Sequence, residues 1–230
     1  MAGRYRCRRN DTIPARVVPI SDPCVSLDLA QLFPRDYPLE VEIGAGTGRF
    51  LISRAQSHPA VNYLAVERMI GRVRTLDKRA AAANLDNIRV VCLEALYTMY
   101  YLLPRHSVRC VYIFFPDPWP KRRHHSHRLF SPFFRDALWY ALESGGRLEV
   151  ATDHSAYFQE IRNCMSADPR FLEIAPMERT LEEQTDFELL FRGQGLSIGQ
   201  CAFQALPIEN EPPLAPMTLP PEMLPKKSEE

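Results

Sequence analysis

An α/β chain built on a mostly parallel, doubly wound sheet, with an antiparallel strand near its C-terminal end, is what the sequence predicts. Three observations carry this. From Leu39 onward, short β-like runs alternate with helical stretches. One run, Val111–Phe115, is almost wholly apolar, as a strand buried on both faces must be. The last two β-like runs, Phe171–Ala175 and Gln200–Ala205, have no strong helix between them, so an antiparallel element is expected there.

The elements follow in order. Leu39–Ile43 is a strand that ends in Gly44, and Thr47–Ser57 is a helix with Phe50, Leu51 and Ala55 on one face. Tyr63–Val66 is a second strand, Met69–Ala83 a helix rich in Ala and Arg, and Ile88–Leu93 a third strand. After the apolar fourth strand, Phe130–Leu142 is helical, with Gly145-Gly146 as its expected C-cap. Arg147–Ala151 is a fifth strand, and the helix Ser155–Ala167 is halted by Pro169. Residues 1–38 are expected to be a basic, proline-rich N-terminal arm, 39–206 the folded domain, and 207–230 a disordered proline-rich tail.

Composition narrows the function classes. In 230 residues, 28 Lys+Arg cancel 28 Asp+Glu, and hydrophobic residues make up 46%, so a folded core is expected. No apolar run reaches the roughly 20 residues of a membrane span, and no apolar segment follows the basic N-terminus as a signal peptide requires. The six cysteines form no C-x-x-C pair, which argues against zinc and thioredoxin-like chemistry. They are expected to be buried, reduced thiols of a cytoplasmic protein, with no metal site. A neutral total argues at first sight against an acidic partner. Yet positive charge is concentrated at Arg4–Arg9 and Lys121–Arg128, while acids gather at the strand ends. That distribution reads as a basic lip around an acidic pocket.

The segment Glu42-Ile43-Gly44-Ala45-Gly46-Thr47-Gly48 leaves the first strand and enters a helix. A dinucleotide fingerprint needs G-x-G-x-x-G, and Arg49 stands where its third glycine would fall, so a dehydrogenase reading fails. An acid-x-Gly-x-Gly-x-Gly turn suits S-adenosylmethionine, with Glu42 and the three glycines around it. Glu67 ends the second strand at the spacing of a ribose-binding acid, and Glu94 ends the third, where it is expected to meet the adenine edge.

Phe114-Phe115-Pro116-Asp117-Pro118-Trp119-Pro120 follows the fourth strand, and prolines on both sides of Asp117 hold its carboxylate in place. By the switch-point rule Asp117 points into the same crevice as Glu42 and Glu67. An acid and an aromatic ring beside a methyl donor suit a planar nitrogen base, whose ring becomes cationic as the methyl arrives. Lys121-Arg122-Arg123-His124-His125-Ser126-His127-Arg128 follows at once and is suited to gripping phosphates.

Four motifs occur in order: Glu42-Ile43-Gly44-x-Gly46-x-Gly48, then Phe115-Pro116-Asp117-Pro118-Trp119-Pro120-Lys121-x-Arg123-His124, then Thr152-Asp153, then Thr185-x-Phe187-Glu188. Together they resemble the bacterial tRNA (guanine-N7-)-methyltransferase family over roughly Leu39 to Ala205. The resemblance implies a Rossmann-like class I methyltransferase that moves a methyl group from S-adenosylmethionine to N7 of a guanine, conventionally position 46, in the variable loop of tRNA. It further implies cofactor contacts at Glu42, Gly44, Gly46, Gly48, Glu67, Glu94 and Asp117, with Asp117 also catalytic. Lys121, Asp153, Thr185, Asp186, Phe187 and Glu188 fall on substrate-binding positions. Arg123, His124, His125, Ser126, His127 and Arg128 fall on the RNA-contacting stretch. No obligate protein partner is expected. The rival readings are another S-adenosylmethionine-dependent RNA methyltransferase and a non-catalytic RNA-binding subunit.

Overall fold

Strand β1 (Leu39–Ile43) is buried along its whole length although it carries two glutamates. It lies between two parallel neighbours, β2 (Asn62–Val66) and β4 (Val108–Phe114), so both of its edges are hydrogen-bonded. With β3 (Ile88–Val91), β5 (Leu142–Thr152), β6 (Phe171–Ile174) and β7 (Gly199–Ala205) it forms a seven-stranded sheet of order β3-β2-β1-β4-β5-β7-β6. Only β7 runs antiparallel to its neighbours, as expected for the C-terminal end. The chain reverses its direction of travel across the sheet between β1 and β4, and the crevice at their carboxyl ends is where such sheets take ligands. This computed structural model describes residues 14–20, 22 and 24–207. The Arg4–Arg9 run and the tail from 208 onward lie outside the described residues.

Helices cover both faces. Alternate residues of β2 enter different cores: Tyr63 and Ala65 pack with α2 (Arg49–Ser57) and α3 (Ile70–Ala82), through Leu51, Ala55, Val73 and Leu76. Leu64 and Val66 face the larger core, to which α5 (Pro132–Ala141) and α6 (Ser155–Ser166) contribute Phe134, Leu138, Ile161 and Met165. This is the two-residue period of a strand buried on both sides. The start of α5 is spelled locally: Pro132 opens the first turn, and the Ser131 hydroxyl accepts from the Phe134 amide at 3.1 Å.

Several expectations need correction. The helix before β5 is not capped by Gly145-Gly146; it ends at Ala141, and the chain passes directly into β5. The glycine pair serves instead a register shift, in which Val108 faces Leu142 but Cys110 faces Arg147. A Cβ at Gly146 would sit 2.8 Å from the Glu143 carbonyl oxygen, so the fold there needs a glycine. Helix α7 (Asp186–Gly193) and the short α4 (Ala95–Tyr97), which continues into a π turn at Thr98–Leu102, were not foreseen. The described part of the lead-in packs on the body. Arg16 and Val18 exchange backbone hydrogen bonds with Val90 and cover the open edge of β3, and Val18 before the short α1 (Leu29–Leu32) and Phe33 after it are buried. Of the five described cysteines only Cys110 and Cys201 are buried, and burial pushes both thiols up; Cys24 is exposed.

Candidate active site

The turn after β1 is held by a carboxylate. Glu67, at the end of β2 and 4% exposed, accepts the Gly46 amide at 3.0 Å and the Met69 amide at 2.8 Å. Each oxygen keeps a lone pair for a further donor. Gly44, Gly46 and Gly48 all have positive φ, and a Cβ on Gly48 would meet Leu76 Cγ at 2.6 Å. Glu42 is 3% exposed, and its Oε2 is buried with no hydrogen-bond partner. Burial pushes its pKa well up and Glu67 adds to this, while Arg179 opposes it. An orphaned acceptor in this position calls for a donor from a ligand. The residues present thus fit S-adenosylmethionine, with its hydroxyl and ammonium donors. Glu94 stands at the end of β3 as expected, but its side chain caps α4, accepting the Tyr97 amide at 3.2 Å.

The elbow after β4 is strained on both sides of Asp117. Phe115 and Trp119 have φ of 53° and 43°, a left-handed backbone that costs a non-glycine residue about 1–3 kcal/mol. The Phe115 amide is pinned to the Ala151 carbonyl of β5 at 2.7 Å. Asp117 itself is exposed, and so is Asp153 after β5. Five acids therefore stand at the carboxyl ends of five adjacent parallel strands: Glu94, Glu67, Glu42, Asp117 and Asp153. At about 4.8 Å per strand the row spans roughly 19 Å.

The basic run divides in two. Arg122–His127 form a 3-10 turn, with Lys121, Arg123, Ser126 and His127 exposed and His124 and His125 half-buried. The Trp119 ring meets His127 at 5.0 Å and His124 at 5.8 Å between centroids. Arg128 departs from its expected RNA contact. Its side chain is only 6% exposed and turns inward, because the end of the turn directs it under the elbow and against α6.

The Thr185–Glu188 segment opens α7. The Thr185 hydroxyl accepts the Glu188 amide at 3.1 Å, and the Thr47 hydroxyl of the glycine turn donates to Asp186 at 2.8 Å. Phe187 is half exposed and, with Phe191, lies against Phe115. The segment is thus brought over the glycine turn. Glu188 is 1% exposed, with its oxygens taken by Arg179 and Arg192, so contact with a substrate requires one arginine to give way. Arg179 was missed by sequence reasoning. It is 4% exposed, lies 4.3 Å from the Phe114 ring centroid and stands between Glu188 and Glu42. No motif signals it. Helix α7 did carry a signal, since Thr-x-x-Glu is a capping-box spacing.

The strand order, the glycine turn and the buried acids at the ends of β1 and β2 define a class I S-adenosylmethionine-dependent methyltransferase. A family model described as "Putative methyltransferase" matches residues 36–196. Proteins named tRNA (guanine-N(7)-)-methyltransferase match as well: one from Nitrosococcus oceani at 35% identity over 77% of this chain and 76% of its own, and one from Nitrosospira multiformis at 40% over 65% of each. The chain belongs to the tRNA (guanine-N7-)-methyltransferase family. Its match spans 65% of the Nitrosospira multiformis protein and 63% of that from Halorhodospira halophila, just under two thirds of their lengths. Among solved structures, a 16S rRNA methyltransferase, KamB, superposes with a TM-score of 0.59 at 13% identity, covering 78% of this chain and 93% of that one. An S-adenosylmethionine-dependent O-methyltransferase from Thermotoga maritima gives 0.51 at 14%, covering 80% and 65%. At such identities the likeness is one of fold. Among the described residues no helix is long and apolar enough to cross a membrane.

Proposed function

We propose that this chain transfers a methyl group from S-adenosylmethionine to N7 of a guanine in tRNA, with position 46 of the variable loop as the acceptor implied by the family resemblance. The observation that carries the reading is the exposed Asp117 on its strained elbow, set between the buried Glu42 and Glu67 and an exposed basic turn. That arrangement suits a base attached to a polyanion. The unit responsible is 39–206 with the lead-in packed on it, acting in the cytoplasm without an obligate protein partner.

When bound, S-adenosylmethionine supplies an electrophilic methyl on a sulfonium centre. Guanine N7 has a lone pair and no proton, so the chain needs no strong base. Its work is positioning and charge stabilisation. Glu67 accepts from the ribose hydroxyls while its backbone partners fix its orientation, and Glu42 offers its free oxygen to a cofactor donor. Asp117 and Asp153 accept from the donor edge of guanine and turn N7 toward the methyl. Asp117 also stabilises the positive charge that the ring gains. Lys121, Arg123 and the three histidines at 124, 125 and 127 hold phosphates.

The test is direct. Unmodified tRNA is incubated with the protein and methyl-labelled S-adenosylmethionine, and the label is located by nuclease digestion and mass spectrometry. Label on N7 of guanine in the variable loop is expected. Label on rRNA but not on tRNA would favour another RNA methyltransferase, and failure to bind S-adenosylmethionine in calorimetry would favour a non-catalytic subunit.

A further inference from the structure

Arg128 closes a run of eight residues rich in Lys, Arg and His, and by sequence it is one more cation for the phosphate backbone. Its surroundings are different from those of the others. Its Nε donates to the Pro118 carbonyl at 2.8 Å, and Nη2 to the Trp119 carbonyl at 3.4 Å. Its Nη1 pairs with Glu160 on α6. The guanidinium lies 4.9 Å from the Tyr157 ring centroid, also on α6, and Tyr157 is 1% exposed. These contacts engage all three guanidinium nitrogens and one face of the fork, and the side chain is 6% exposed, so little remains for a phosphate.

The carbonyls it holds belong to the two residues after Asp117, and Trp119 is one of the two left-handed residues that flank it. A strained backbone persists only where its surroundings over-determine it. On the Phe115 side this is done by the hydrogen bond to Ala151. On the Trp119 side Pro118 and Pro120 have no amide to donate, so carbonyl acceptors are what the segment offers for anchoring.

We infer that Arg128 is a positioning residue, a latch that ties the Asp117 elbow to α6, and not a phosphate contact. The inference rests on the proposed guanine chemistry for its kinetic meaning, but the latch itself does not. Glu160 is half exposed and holds the guanidinium from the solvent side, as an outer clasp. Lysine at 128 keeps the charge and loses the fork that spans two carbonyls and a carboxylate.

The experiment compares Arg128→Ala, Arg128→Lys, Glu160→Gln and Arg123→Ala. Salt dependence separates the two roles, because each phosphate contact contributes about 0.7–0.9 to the slope of log affinity against log salt. Arg123→Ala is expected to lower that slope by about one contact. Arg128→Ala and Arg128→Lys are expected to keep the wild-type slope while kcat, normalised to the fraction that binds S-adenosylmethionine, falls about tenfold or more. A variant that merely unfolded in part would lose binding-competent protein, not kcat per site. Glu160→Gln is expected to lower kcat by a few-fold at unchanged slope. Should Arg128→Ala not fold, Arg128→Lys and Glu160→Gln decide. A reduced slope with wild-type kcat in Arg128→Ala, or wild-type kcat in both Arg128→Lys and Glu160→Gln, overturns the latch. Acrylamide quenching gives a readout free of substrate. Trp139 is 3% exposed, so quenching reports on Trp119, and it should rise in the Arg128 variants. If wild-type protein methylates no tRNA, the parent reading fails while this quenching result still judges the latch.

Discussion

Glu40 and Glu42 project from the same face of β1, two residues apart, and both are buried. Glu40 is fully partnered: it accepts from Arg109 and from the Tyr112 hydroxyl at 2.8 Å, and Arg54 lies 3.6 Å away. Glu42 has a buried oxygen with no partner, and the cation acting on it is Arg179 across the crevice. One acid lies toward the amino-terminal end of the strand, and its charge is consumed by the fold. The other serves the carboxyl end and is left with an acceptor to give. Across a single strand, the difference between a structural and a binding carboxylate is the completeness of its hydrogen bonding.

The same contrast extends to Asp117, which is exposed and set between two left-handed residues, Phe115 and Trp119. Its removal should have the largest effect. Asp117→Ala is expected to lower kcat with unmodified tRNA by about 10²–10³ while the circular dichroism spectrum is unchanged. Retention of a third or more of wild-type turnover would reduce Asp117 to a surface group. Next comes Glu40→Gln, which leaves Arg109 without its counter-charge and Arg54 with Glu183 alone. About 2–3 kcal/mol of stability should be lost in urea denaturation. A neutral outcome would mean that the two acids of β1 are not different in kind.

Gly48→Ala tests the glycine turn that follows β1. A left-handed alanine costs about 1–2 kcal/mol, to which the contact with Leu76 adds. Thermal unfolding and calorimetric S-adenosylmethionine affinity should fall together. The smallest effect belongs to Glu42→Gln, and it has the opposite sign for stability. The pKa of Glu42 is raised in the folded protein, so the group favours folding at low pH and loses that contribution as pH rises through the folded pKa. The glutamine variant has no such loss. Its Tm should therefore exceed wild type near neutral pH, by about 2–4 °C for each ~1 kcal/mol, and the gap should close toward acid. S-adenosylmethionine binding should weaken in the same variant. A gap independent of pH would sink the assignment of Glu42 as the strained acid.

Much of the scaffold was legible because it is written in local periodicity. The apolar fourth strand, the alternation of strands and helices and the glycine turn each depend on neighbours a few residues away, and the structure contains them with ends moved by a few residues. What escaped was decided at a distance. Gly145-Gly146 looks like a helix stop, but the register of β4 against β5 uses it for a bulge. Helix α7 is short, with Phe187 and Leu190 exposed, so its pattern lacks the stripe by which longer helices announce themselves. Arg179 stands outside every motif and becomes meaningful only where Phe114, Glu188 and Glu42 converge.

By itself, then, the sequence determined the sheet's alternation, the order of four motifs and the set of acids that end its strands. Backbone conformation and strand burial follow from local composition, and that is why these could be read. Only the tertiary structure decided which charges face inward. Arg123 and Arg128 are the same residue type in one run, yet one is exposed and the other is 6% exposed beneath the elbow. Glu40 and Glu42 share a strand and a face, yet partners from α2 and β4 reach only the first. Desolvation and partnering of a charge depend on groups brought from elsewhere in the chain, and no local pattern records them.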